Sequence, residues 1–220
     1  MGIGPGVGLA TRQLVQAGTS VTAVEPAPAL AAHLRSRLPQ VRIIEAAFED
    51  APLAEASFDL ALAAMSFDWV DETLGLPKLG KVLVPGGWTA LWWTLWGEPA
   101  RPDRLGQAAA ALHGQSASAA NKPGRPQYEL DADARFADLR ERAQLEQVSH
   151  EAIPWTIEMD AAQVRAHYAS MIAIRRRAPD EQRKLLDALK ALVRDRFGGK
   201  AERHFLTVLY AGRRPRGSEA

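Results

Sequence analysis

Hydrophobic and polar positions alternate in two rhythms along the first half of the chain. Short β-rich runs, Ser20–Val24 (SVTAV), Val41–Ile44 (VRII), Phe58–Ala63 (FDLALA) and Trp88–Trp93 (WTALWW), read as strands. Between them, Leu9–Gln16 and Ala29–Arg37 read as helices, the second because Leu30, Leu34 and Leu38 recur at helical spacing. Pro28 suits a first helical turn and Gly18 a helix C-cap. A shorter helix is predicted over Lys78–Val84, with Pro77 near its start and Pro85-Gly86-Gly87 as its stop. Strand and helix alternating in this way build a parallel sheet covered by helices on both faces.

The rhythm changes after Trp96. Residues 97–127 are rich in Gly, Pro, Ser and Ala and read as a mobile connection with one short helix, Leu105–Leu112. Residues 133–142 predict a charged helix, Leu145–Ile157 a strand broken by Pro154, 160–197 one or two amphipathic helices, and Phe205–Ala211 a last strand. A late strand, a helical excursion and a terminal strand predict an antiparallel closure of the sheet. The 220 residues suit a single domain, with a first half 1–96, a mobile insertion 97–130 and a C-terminal half 131–220 that carries the excursion 160–197.

Composition excludes several classes. No apolar run approaches the roughly 20 residues of a membrane span, and there are no cysteines to form disulfides or thiolate metal sites. With no basic and apolar leader at the start, the expectation is a cytoplasmic protein without a membrane partner. The net charge is +1, yet residues 1–100 hold ten acidic against six basic side chains, so the positive surplus lies later, mostly in 175–203. Asp180, Glu181, Asp187, Asp195 and Glu202 interrupt that surplus, which then reads as a solvated helix face and not as a nucleic-acid surface. No metal-ligand cluster, nucleophile elbow or P-loop is present.

The chemistry begins at Gly4-Pro5-Gly6-Val7-Gly8, which opens a helix and is followed about twenty residues later by Glu25 at the end of a strand. Glycines let backbone turn tightly against a ligand, a helix N-terminus offers free N–H groups to an anion, and an acid after the next strand accepts from a ribose diol. A nucleotide-type cofactor follows. The dinucleotide fingerprint needs its third glycine at position 9, which is Leu9, and this weakens the rival reading of an NAD(P)-dependent oxidoreductase.

The G-x-G-x-G order resembles the first motif of class I S-adenosylmethionine-dependent methyltransferases, and later segments follow that family's order. Thr22–Pro26 (TAVEP), Ala46–Leu53 (AAFEDAPL), Phe58–Val70 (FDLALAAMSFDWV) and Lys81–Trp93 (KVLVPGGWTALWW) are similar to its successive motifs, closest to the branch called methyltransferase type 11. The resemblance implies a Rossmann-like α/β sheet with helices on both faces and an antiparallel C-terminal strand. It implies S-adenosylmethionine as cofactor, held by Gly4, Pro5, Gly6, Gly8, Glu25, Pro26, Phe48, Glu49, Met65 and Ser66. In that scheme Glu25 takes the ribose, Phe48 lies against the adenine and Glu49 or Asp50 accepts from its amine. The implied reaction is methyl transfer to a small molecule, with Asp68 and Trp69 as acceptor-side residues; a domain that keeps the fold without catalysis is the alternative.

Two positions depart from the pattern: Gly2 stands where the family carries an acid, and Asp68-Trp69 where relatives carry His-Trp. Asp68, His150, His167 and Tyr168 are the side chains able to take a proton from an acceptor. The tryptophans at 69, 92, 93, 96 and 155 could line an apolar acceptor pocket, and 97–127 with the helices in 160–197 are expected to cover it. Only three residues precede the glycine loop, against the five or six of an ordinary strand. The sequence therefore predicts at most a stub of first strand at 1–3, a gap between the strands on either side, and a natural protein that starts some tens of residues upstream.

Overall fold

The computed structural model describes residues 1–97, 101, 103–113 and 127–217. Most of the expected mobile connection thus lies outside the described residues. Seven strands form one sheet in the order β3-β2-β1-β4-β5-β7-β6. They are β1 Gly2–Ile3, β2 Thr22–Val24, β3 Arg42–Ile44, β4 Phe58–Ala64, β5 Leu83–Trp96, β6 Glu146–Asp160 and β7 Lys200–Arg213. The helices are α1 Leu9–Gln16, α2 Pro28–Arg37, α3 Glu72–Val82, α4 Arg104–His113, α5 Ala132–Ala137, α6 Ala161–Ser170, α7 Ile172–Arg175 and α8 Pro179–Arg196.

The chain folds as two compact units: Met1–Trp93 with Pro126–Glu151 and Val208–Ala220, and Thr94–Arg125 with Ala152–Thr207. The long strands β5, β6 and β7 each contribute residues to both units.

In the first unit β1, β2, β3 and β4 are parallel neighbours, and β5 continues the parallel set beside β4. Strand β4 is buried at Ala61, Leu62 and Ala63 in succession, the continuous apolar run of a strand covered on both faces. Helix α2 packs Leu34 and Leu38 against Val21, Ala23 and Val41. Strand β7 is antiparallel to β5: Gly86 N–H donates to Arg214 and Arg214 N–H to Gly87, while at the other end Gly97 N–H donates to His204.

Strand β1 has only two residues, yet it pairs on both sides, Gly2 with Ala23 and Leu62, Ile3 with Val24 and Ala63. Beyond Met1 a groove of about 720 Å³ runs between Ser20–Thr22 and Ser57–Leu60. The stub and the gap expected from the sequence are both present.

Helix α3 begins six residues earlier than predicted. Asp71 caps it by accepting from Thr73 N–H at 2.8 Å, and Pro77 sits inside the helix and not at its start. Strand β6 is continuous through Pro154. It lies at the sheet edge, where a missing N–H leaves no neighbour without a partner, so the proline does not break it.

The second unit is built on helices. Leu185, Leu186, Leu189 and Val193 of α8 are buried with Val164 and Tyr168 of α6 and with Leu105 and Ala109 of α4. Asp160 and Gln163 form a reciprocal capping box at the start of α6. The predicted helical excursion thus contains three helices, broken where Met171 and Ala178 take extended backbone. Among the described residues no helix is long and apolar enough to cross a membrane.

Candidate active site

The site lies in the first unit, at the carboxyl ends of β1, β2 and β4, where parallel sheets of this kind bind ligands. The glycine loop leaves β1 with Gly4 at φ 57°. A side chain there would also collide with the loop after β4, since a Cβ would stand 2.7 Å from Ser66 Cβ. That close approach is fastened by the Ser66 hydroxyl, which donates to Ile3 O at 2.7 Å. Gly8 is the left-handed N-cap of α1, and a Cβ on it would reach Leu34 at 2.6 Å. Around Gly6 nothing lies within 4 Å of a built Cβ, so the outer side of the loop is open.

Glu25 follows β2 and is only 4% exposed. Its Oε2 accepts from Gly6 N–H at 3.0 Å and its Oε1 from Ala27 N–H at 3.1 Å. The acid and the glycine loop, nineteen residues apart, are therefore one structure. Pro26 beside it is exposed.

The loop after β3 is tied to α3. Phe48 is 3% exposed, tilted against Phe67 at 6.4 Å, with Lys78 Nζ 5.6 Å from its ring centre. Lys78 donates to the carbonyls of Glu49 and Ala51 at 2.8 and 2.6 Å, and burial holds its ammonium below the usual lysine range. The Glu49 carboxylate accepts from Asp71 N–H, and the Asp50 side chain is exposed. Lys78 is a site-forming residue that the sequence pattern did not single out. Its signal was the position of a basic residue on the helix tied to that loop.

After β4, Met65 takes a left-handed backbone with φ 59°, and its N–H is held by Trp92 O at 2.9 Å. Residues in this region are costly unless their surroundings fix them, and they gather at functional sites. Asp68 Oδ1 accepts from the buried indole Nε1 of Trp93 at 3.0 Å, while Trp69 is 85% exposed. Trp93 itself packs edge-on to Tyr128 and Tyr210, at 5.5 and 6.3 Å.

The structure thus brings Gly4, Pro5, Gly6, Gly8, Glu25, Met65, Ser66 and Asp68 to the carboxyl ends of β1, β2 and β4. His150 is on β6, three strands from β4, stacked on Tyr210 at 4.7 Å. His167 and Tyr168 belong to the second unit. There His167 stacks on Trp96 at 4.0 Å, and burial, helped by the Arg203 charge, pushes its pKa down to about 4. Tyr168 is buried and held above the usual tyrosine range. Of the tryptophans, Trp93 is core, Trp96 stacks on His167, and Trp155 stacks on Phe205 at 4.3 Å.

Residues 1–91 match a family model described as a methyltransferase domain. Over that stretch this chain resembles a methyltransferase domain. Uncharacterized methyltransferases of Mycobacterium tuberculosis and Mycobacterium bovis are 38% identical over 104 residues, which is 47% of this chain and 41% of theirs. The chain therefore spans under half the length of these curated relatives. A solved structure from Anaeromyxobacter dehalogenans, assigned as a type II methyltransferase, superposes with a TM-score of 0.66 at 21% identity, over 97% of this chain and 88% of that one. A phosphoethanolamine N-methyltransferase of Haemonchus contortus, in complex with S-adenosyl-L-methionine, gives 0.56 at 13% identity, over 97% and 48%. The class I methyltransferase fold is thus common to this chain and its structural neighbours.

Proposed function

We propose that this chain is a methyltransferase that binds S-adenosylmethionine over Gly4–Gly8 and directs its methyl group to a small-molecule acceptor. The observation that carries this reading is the joined pair of glycine loop and Glu25. The loop is open on its outer side at Gly6, where a ligand can approach the backbone, and Glu25 closes its inner side. The loop and the start of α1 suit the cofactor's carboxylate, Glu25 its ribose, and Phe48 with Glu49 or Asp50 its adenine. Glu49 already holds Asp71 N–H, so Asp50 has the freer carboxylate for the adenine amine. Met65 and Ser66 form the wall from β4. When bound, the cofactor supplies an electrophilic sulfonium methyl; the residues of this chain bind, orient and exclude water.

A second reading is a domain that keeps the fold and has lost cofactor binding. It is favoured by the near-complete burial of Glu25 against the loop and by Gly2 at the family's acidic position. Calorimetric titration with S-adenosylmethionine, S-adenosylhomocysteine and NADH separates these readings. Saturable binding of the first two with none of NADH is expected. Binding of neither adenosyl compound overturns the proposal, and binding of NADH alone revives the oxidoreductase.

A further inference from the structure

Helix α3 runs into β5 at Val82 and Leu83, beside the start of β4 at Phe58, so this junction lies at the opposite end of the parallel strands from the glycine loop. A groove of about 430 Å³ opens there. Its polar lining is Lys81, Arg142, Gln144 and Arg214, three cations and an amide with no carboxylate among them. The volume lies within the range of about 300–1,000 Å³ common to small-molecule sites. Close packing builds one wall. Gly80 lets α3 pass the chain after α5 so tightly that a Cβ would stand 2.0 Å from Ala143 O. That chain is a single π-helical turn, Asp138–Arg142, followed by Gln144 with a left-handed backbone of φ 54°. Isolated π-turns and left-handed residues other than glycine both gather at functional sites.

The cations differ in what answers their charge. Arg142 is oriented by Glu72 and Asp138, accepting from its Nη1 at 3.1 and 2.9 Å. Arg135 shares the same two acids, so that cluster is balanced. Arg214 is held otherwise: its Nη1 donates to Lys81 O at 2.8 Å and to Leu83 O, carbonyls that fix the guanidinium without neutralising it. Among the described residues no carboxylate pairs with it. Lys81 reaches Glu55 only at 3.7 Å, with the two side chains 64 and 68% exposed, a pair that water and salt largely screen. Arg213 and Arg216 flank Gly86 at the same turn and strengthen the positive field.

A cavity whose unanswered charges share one sign attracts an ion of the other. A guanidinium pinned through one nitrogen still offers its remaining N–H groups as a planar fork for paired oxygens. Phosphate has the oxygens to meet Arg214, Lys81 and Arg142 together, whereas a carboxylate has two. Pro77 and Pro215 supply an apolar wall for an organic substituent.

We propose that this groove binds a phosphate group, either the free ion or the phosphate of a small organic ester. Arg214 and Lys81 supply the charge, and Arg142 and Gln144 supply further donors. The ligand is held there and not transformed, and the assignment stands apart from the cofactor reading.

The test is amide NMR of the ¹⁵N-labelled full chain at low salt, titrated in turn with phenyl phosphate, inorganic phosphate and benzoate. Saturable shifts at Gly80, Lys81 and Gln144 are expected with both phosphates, and binding of benzoate should be at least about tenfold weaker. Tighter binding of phenyl phosphate identifies an organic ester as the ligand, and equal affinity identifies the free ion. Lys81→Met, at an exposed position, and Arg214→Gln, which keeps an N–H for the carbonyls, should each weaken phosphate binding about tenfold. Should Arg214→Gln not fold, Lys81→Met carries the test. Absence of saturable shifts, shifts confined to Gly4–Gly8, an equal response to benzoate, or unchanged affinity in either folded variant overturns the assignment.

Discussion

Glu25 is the residue on which the candidate site depends, since its two oxygens each hold a backbone N–H and bind the loop to the strand end. Glu25→Gln replaces one acceptor by a donor, so one of those amides loses its partner. S-adenosylhomocysteine binding should weaken by roughly 1.5–3 kcal/mol, the range for hydrogen bonds to a charged group, as read by calorimetry; unchanged affinity removes Glu25 from the site. His167 offers a test by pH. Its folded pKa of about 4 lies below the ordinary histidine value of 6.5, so between those limits the unfolded chain binds more protons than the folded one. Its contribution to stability is therefore complete above about pH 6.5 and is lost as pH falls toward 4. His167→Phe keeps a ring against Trp96 and should flatten that part of the stability curve measured by denaturant unfolding; an identical pH dependence counts against the assignment.

At the scale of elements, the weakest is β1. Its two residues hold both neighbours in register, but the Met1 ammonium enters the sheet, donating to Leu60 O. Burial pushes that ammonium's pKa down to about 6 from 8.0. Strand β1 already sets the register, so residues joined ahead of Met1 in extended form would meet Ser20–Thr22 on one side and Phe58–Leu60 on the other. Four β-branched residues added at Met1 should therefore remove the buried charge and raise stability by at least about 2 kcal/mol. For a chain of this size that is roughly 4–8 °C in Tm. Scanning calorimetry of the extended and parent chains checks it, and an unchanged or lower Tm shows that the groove does not accept a strand.

At the scale of the whole molecule, two compact units make a single all-or-none unfolding transition an unsafe assumption. The candidate cofactor residues all lie in the first unit, so a ligand bound there stabilises that unit first. Saturation with S-adenosylhomocysteine at about a hundred times its Kd should raise the opening free energy of the first unit by about 2.7 kcal/mol. Hydrogen exchange should show that protection in residues 1–26 and 45–70. Protection confined to 152–207 would place the ligand elsewhere.

The local code of this protein was legible where short-range physics decides. Glycine at positions 4, 6 and 8, an acid at 25, and the helical spacing of leucines in α2 depend on backbone conformation and on neighbours a few residues away. Long-range packing decided the rest. Pro154 reads as a break until its strand is known to lie at the sheet edge, and Pro77 reads as a helix start until Asp71 is seen capping the turn before it. The four proton-accepting residues were equivalent in sequence. Only the tertiary structure put Asp68 under the Trp93 indole beside the glycine loop, 25 residues from that partner, and assigned His167 and Tyr168 to the second unit. Hydrophobic periodicity says which face of an element is buried, but not which other element buries it, and on that choice the surroundings of each polar residue depend.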